Sequence, residues 1–197
     1  MVATVSVEEL NGGTAGAGVP NVITSGRYCT RDAYAPADND PCVVPTSGSN
    51  YSYWKSHRIA WTGIGTRISN IRWYTSGNIK TNWSPGTGGM LRVGVKYSGD
   101  NGCPDGSYAV AVGVSGESGY DLDDASLGHT YYKSGSSLYL APVDADTYVA
   151  GATLTVDTTN YTTNTHSKHV VSQVKLTTSA TQGDKSSETL TFRYDEV

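Results

Sequence analysis

At 197 residues the chain is long enough for one domain with a buried core and too short for two ordinary ones. A net charge of -4, a pI near 5.5 and only 14 Lys and Arg, scattered singly, leave no basic stripe for a phosphate backbone, which argues against a nucleic-acid partner. Only 16% of residues are charged, and 14 Tyr and 4 Trp stand against one Phe, the balance of a β-rich, weakly charged surface; no window approaches a membrane span.

Met1-Val-Ala-Thr-Val-Ser-Val7 has neither a basic start nor a continuous apolar run, so it does not read as a secretory signal. The composition nevertheless suits an extracellular β-protein. Synthesis in the cytoplasm followed by service outside the cell, as in a virus particle released by lysis, reconciles the two; so does a mature chain given an added Met1. Residues 2 to 7 alternate as a short strand, and the glycine-rich run Asn11 to Gly18 reads as a linker. Residues 1–20 are therefore expected to form a flexible or partner-held N-terminal arm, with Val2, Val5 and Val7 as interface residues, or an arm folded back on its own domain edge. Residues 21–197 are expected to form a single β-sandwich.

Asn21 to Tyr28 is a strand candidate, followed by a loop to Asn50 that Pro and Gly punctuate. Cys29 and Cys42 bracket part of this loop and could close it as a disulfide; three free thiols, with Cys103 the third, is the alternative. In Tyr51 to Thr62, His57, Ile59 and Trp61 fall on one face at period two. From Gly65 to Tyr74 the apolar phase slips between Ile68 and the pair Ile71 and Trp73, which predicts a β-bulge near Ser69-Asn70. Thr75-Ser-Gly-Asn78 is a turn, and Trp83 to Gly89 an irregular loop.

Leu91, Val93, Val95 and Tyr97 face one way in the next strand, and Val110 and Val112 continue a further one. Leu122 to Leu127 is the one segment with room for a helical turn, and Leu138 to Leu140 and Tyr148 to Val156 supply more short strands. In Ser167 to Val197 two strands flank a polar loop: Val170, Val174 and Leu176 share one face of the first, and Leu190, Phe192 and Tyr194 share one face of the second, directly after which the chain stops. About eight to ten short strands at this spacing predict an all-β fold, a single antiparallel β-sandwich of jelly-roll or immunoglobulin-like type with long irregular loops and little helix. Its core candidates are Ile71, Trp73, Val93, Val95, Val110, Val112, Val174, Leu176, Leu190, Phe192 and Tyr194.

Chemistry-bearing motifs are thin. Gly113-Val-Ser115-Gly-Glu117 lacks the final glycine of a nucleophile elbow, and His166-x-x-His169 has no third ligand at metal spacing. Asp121, Asp123 and Asp124 offer oxygens for a structural Ca²⁺ without forming an EF-hand loop; no other cofactor is expected. Tyr51, Tyr53, Trp54 and Trp83 read first as core or interface residues, with a sugar-stacking platform as the alternative.

Val5-Ser-Val-Glu-Glu-Leu-Asn-Gly12, Asn50-Tyr-Ser-Tyr-Trp-Lys55, Ile68-Ser-Asn-Ile-Arg-Trp-Tyr-Thr75, Ser118-Gly-Tyr-Asp-Leu122 and Glu188-Thr-Leu-Thr-Phe-Arg-Tyr-Asp-Glu196 resemble small β-rich virion proteins of tailed phages and archaeal viruses. The resemblance spans most of the chain and carries no catalytic residue. It implies a non-enzymatic particle component, a capsid decoration or head-surface protein, located in the virion, whose partners are itself or the major capsid protein lattice. The alternatives are a subunit of an extracellular filament assembled by strand exchange, or a carbohydrate-binding module that takes a glycan on Tyr51, Trp54 and Trp83.

Overall fold

The period-two pattern of residues 55 to 62 becomes a strand in which Ile59 and Trp61 are buried side by side, and the rest of the core assembles on that face. A computed structural model describes residues 2–11, 19–30, 41–53, 55–95, 121 and 143–197. Their strands are β1 (Thr4–Asn11), β2 (Val19–Ile23), β3 (Ser49–Tyr51), β4 (Lys55–Thr62), β5 (Ile68–Tyr74), β6 (Met90–Val95), β7 (Val143–Asp144), β8 (Leu154–Asp157), β9 (Thr165–His166), β10 (Val170–Thr177) and β11 (Thr191–Glu196), with one short helix α1 (Ile79–Trp83). The larger sheet runs β2-β1-β4-β10-β6-β7, with β3 beside β10 and β9 beside β4; the smaller runs β11-β5-β8. These pairings are antiparallel, and the expected all-β architecture holds.

The two sheets share one apolar cluster: Ile59 and Trp61 of β4, Leu91, Val93 and Val95 of β6, Val170 and Val174 of β10, Ile68, Ile71 and Trp73 of β5, and Val156 of β8. Ile71, Trp73, Val93, Val95 and Val174 are buried as expected, while Leu176, Leu190, Phe192 and Tyr194 point inward but are only partly buried. The last three come from β11 and the residue before it, at the margin of the smaller sheet, so no further strand covers them from that side. Val110, Val112 and the helical turn expected at Leu122 to Leu127 lie outside the described residues.

Two irregularities shape the larger sheet, and a serine carries the ladder across each. Three positions separate Tyr51 from Lys55 while two separate Ser172 from Lys175, so one residue is extra on the β3–β4 side. There Ser52 N donates to the Val174 carbonyl at 3.0 Å, and Ser52 Oγ accepts from Val174 N at 3.0 Å in place of a backbone oxygen. Likewise three positions separate His166 from Val170 against two between His57 and Ala60. At that point Ser167 N donates to the Ile59 carbonyl at 2.9 Å and Ser167 Oγ accepts from Ile59 N at 3.2 Å. Each extra residue exchanges the faces of the strand that carries it.

The bulge expected at Ser69-Asn70 is present on β5. Arg193 pairs with Arg72 but Asp195 with Ser69, and Asn70 takes the left-handed φ of 53° that asparagine tolerates better than most residues. The turn at residues 75–78 also forms, with Gly77 at a φ of 78° and its N–H on Thr75 Oγ1 at 2.9 Å.

Two expectations need correction. Residues 4–11, read as part of an arm, form β1 inside the larger sheet, paired to β2 on one side and β4 on the other, and β2 itself begins at Val19. The cause is the charge at Glu8 and Glu9, which end the apolar alternation in sequence but meet Arg58, Lys55 and His57 on β4. The second correction is α1, five residues where only turn and loop were expected. Its first N–H groups, from Ile79 and Lys80, donate at 2.9 Å to the two carboxylate oxygens of Asp146, a cap supplied from far along the chain. No helix among the described residues is long and apolar enough to cross a membrane.

Candidate functional site

The paired register of β1 and β4 sets Val5 beside Trp61, Val7 beside Ile59 and Glu9 beside His57 on the core-facing side of the larger sheet. The first two of these pairs are ordinary packing, but the row ends in charge. Glu9 is 0% exposed, Lys55 1% and His57 8%. Lys55 Nζ donates to Glu9 Oε1 at 2.6 Å, and His57 Nε2 lies 3.1 Å from Glu9 Oε2, where an ionised carboxylate requires the ring nitrogen to donate. Burial alone would raise the Glu9 pKa; the hydrogen bond from His57 and the charges of Lys55 and His57 outweigh it and hold the carboxyl at about 2.

The segment after β2 lies across this set. A Cβ at Gly26 would stand 3.3 Å from Glu9 Oε2, and the Tyr28 hydroxyl shares a hydrogen bond of 2.7 Å with Ser172 Oγ. The Tyr28 ring meets Trp83 at a centroid distance of 5.8 Å, and burial pushes its phenol pKa up. A carboxylate, an ammonium and an imidazole in contact are the parts of an acid–base site, yet here they are closed off from solvent, with Lys55 and His57 both bonded to Glu9. Their work is to tie β1 to β4. Asp157 is a second buried carboxylate, accepting from the Tyr161 hydroxyl at 2.7 Å and from Thr159 N at 3.0 Å; burial would raise its pKa, and these hydrogen bonds lower it.

The interface candidates separate. Val5 and Val7 are partly buried against the protein's own core, whereas Val2 is 81% exposed. Tyr51 and Trp83 do not form one platform. Tyr51 pairs with Lys175, on the face opposite Ser172, while Trp83 stands on the Ser172 side against Tyr28 and donates its indole N–H to the Ser186 carbonyl at 2.9 Å. The bulge between β3 and β4 is what reverses the faces. Tyr53 is half-buried and donates its N–H to the Cys29 carbonyl at 2.9 Å; Trp54 lies outside the described residues. Tyr51 and Trp83 therefore do not share one sugar-stacking face.

Asp121, a candidate Ca²⁺ ligand, is paired with the Arg92 guanidinium, and burial together with the Asp121 carboxylate pushes the Tyr51 phenol up to about 12. The guanidinium occupies the place a cation would take; Asp123 and Asp124 lie outside the described residues. His166 and His169 meet ring to ring at 5.8 Å, and no group of three or more metal-ligating side chains occurs among the described residues. Cys29 and Cys42 are not joined in a disulfide, and Cys29 is buried while Cys42 is partly so. Burial, and then the neighbouring Cys29, push the Cys42 thiol up to about 12.

An open depression of about 460 Å³ lies against the glycine-rich loop after α1, beside Lys80 and Ser179. It is a mould of the loop itself: a Cβ at Gly86 would collide with Thr177 and one at Gly89 with Pro85, and Lys80 is paired with Asp144. What remains unpaired among the described residues are strand edges. Among the described residues β2 pairs with β1 alone and β11 with β5 alone, and β2 carries Val19 at 60% and Val22 at 66% exposure. No protein-family model, no curated protein and no solved structure matches this chain.

Proposed function

We propose that the protein is a non-enzymatic structural component of a virus particle, a capsid decoration or head-associated protein that docks on a protein lattice and stabilises it. The observation that carries this reading is two strands that, among the described residues, pair on one side only, β2 in the larger sheet and β11 in the smaller. An unpaired edge offers a row of N–H and C=O groups to a neighbouring chain, and adding a strand gives main-chain hydrogen bonds with side-chain selection every second residue. The exposed valines of β2 add apolar area to one edge. Because β1 is paired on both sides, the contact elements are these outer edges and not the first strand.

A subunit of an extracellular filament would use the same open edge of β11, and the two readings separate by experiment. Mass spectrometry of density-banded particles from the source culture should find the chain at a fixed ratio to the major shell protein. Electron microscopy of the purified chain alone should show no polymer. Filaments formed by the chain alone favour the second reading, and absence from banded particles sinks the first.

A further inference from the structure

We propose that the outward face of the smaller sheet docks an extended, carboxylate-rich segment of the neighbouring lattice protein, added along β11 and read by Arg72 and Arg193. This deepens the docking reading above and rests on it. The register places Arg193 directly opposite Arg72, and because their neighbours Trp73 and Phe192 face inward, both guanidiniums leave on the outward face. Like charges directly opposite each other across a strand pair destabilise it. This pair sits on a chain of net charge -4 with few cations to place, so it makes a local reversal of sign.

Arg72 is already fixed. Its Nε donates to Asn70 Oδ1 at 2.7 Å, and a terminal nitrogen donates to Thr155 Oγ1 on β8. Asn70, held at the bulge, donates its Nδ2 to Asp195 Oδ2 at 2.9 Å, so the carboxylate that shares this face is engaged on that side. A guanidinium has five donors, and two of the Arg72 set are spent on orientation, which leaves the others set for an acceptor with little further ordering. The Arg193 side chain is exposed and makes no hydrogen bond or ion pair among the described residues.

The class of partner follows from the edge. The two side chains spring from points about 5 Å apart across the pair. A strand added to β11 would send every second side chain onto this outward face, beside Arg193, so alternating Glu or Asp would supply carboxylates in the right place. Carboxylates and guanidiniums pair as two parallel hydrogen bonds.

The test titrates the intact protein with a labelled eight-residue Thr-Glu repeat, its Thr-Gln counterpart and inorganic phosphate. The Thr-Glu peptide should bind at least ~10-fold more tightly than the Thr-Gln peptide, weaken as salt is raised, and resist competition by phosphate. Arg193→Glu should abolish that binding while raising the thermal midpoint, since it relieves the opposed charges. Lys185→Glu, an equal change of net charge on an exposed loop, should leave binding intact. Equal binding of the two peptides, displacement by phosphate, or retained binding in Arg193→Glu would overturn the proposal. Co-banding with particles tests the docking role separately: a chain that co-bands but ignores the peptide refutes only this inference.

Discussion

Glu9→Gln keeps the shape of the side chain and removes the negative charge that Lys55 and His57 share, with all three groups at or below 8% exposure. Breaking a buried pair from one side leaves an uncompensated charge and costs about 3–5 kcal/mol. The Glu9 carboxyl gives an independent figure. Its pKa falls from 4.5 to about 2 in the fold, and at 1.36 kcal/mol per unit this corresponds to roughly 3 kcal/mol of stability. Because the folded pKa is depressed, that stability is fully present above pH 4.5 and is lost as pH falls toward about 2. Urea unfolding at a series of pH values should therefore show wild type losing about 3 kcal/mol over this window beyond the loss in Glu9→Gln. Near neutral pH the variant should melt roughly 6–20 °C lower, at about 2–4 °C per kcal/mol for a chain of this size. Adding Lys55→Met to Glu9→Gln should recover much of the deficit, because the stranded charge is gone. A deficit under about 1 kcal/mol, or parallel pH profiles for wild type and Glu9→Gln, would refute the view that this set ties β1 to β4.

Ser52→Ala removes the acceptor for Val174 N at the bulge between β3 and β4, and stranding that buried N–H should lower stability by about 1–3 kcal/mol in denaturant titration. Trp73→Ala, at a fully buried site, should cost about 3–5 kcal/mol, while Phe192→Ala, on the partly covered edge strand, should cost about half as much. Equal costs for the two would mean that β11 is covered more deeply than its edge position implies. With its thiol pushed up to about 12 by burial, Cys42 should stay unmodified by iodoacetamide near pH 8 in the folded protein and react on unfolding, as followed by intact mass.

Features set by residues close in sequence were legible before the fold. The shared face of His57, Ile59 and Trp61, the inward set on β11, and the bulge at Asn70 all follow from side-chain parity over a few positions. Features set by distant partners were not. Glu8 and Glu9 look like the end of a strand until Arg58, Lys55 and His57 come alongside, and α1 has no visible start because its cap is Asp146. Tyr51 and Trp83 look like one aromatic platform until the extra residue between β3 and β4 turns them to opposite faces. The opposition of Arg72 and Arg193 likewise depends on a register that spans the whole second half of the chain. The corrected interface follows the same logic, since an edge exists only once the strand order is known.

The most direct test of the account is a cryo-electron microscopy map of the particles that contain this protein, at a resolution that traces strands. The prediction is a decoration domain on the shell with β2 or β11 continued by a strand of its neighbour. A map in which the β2 and β11 edges both face solvent, with contact made elsewhere, would contradict it.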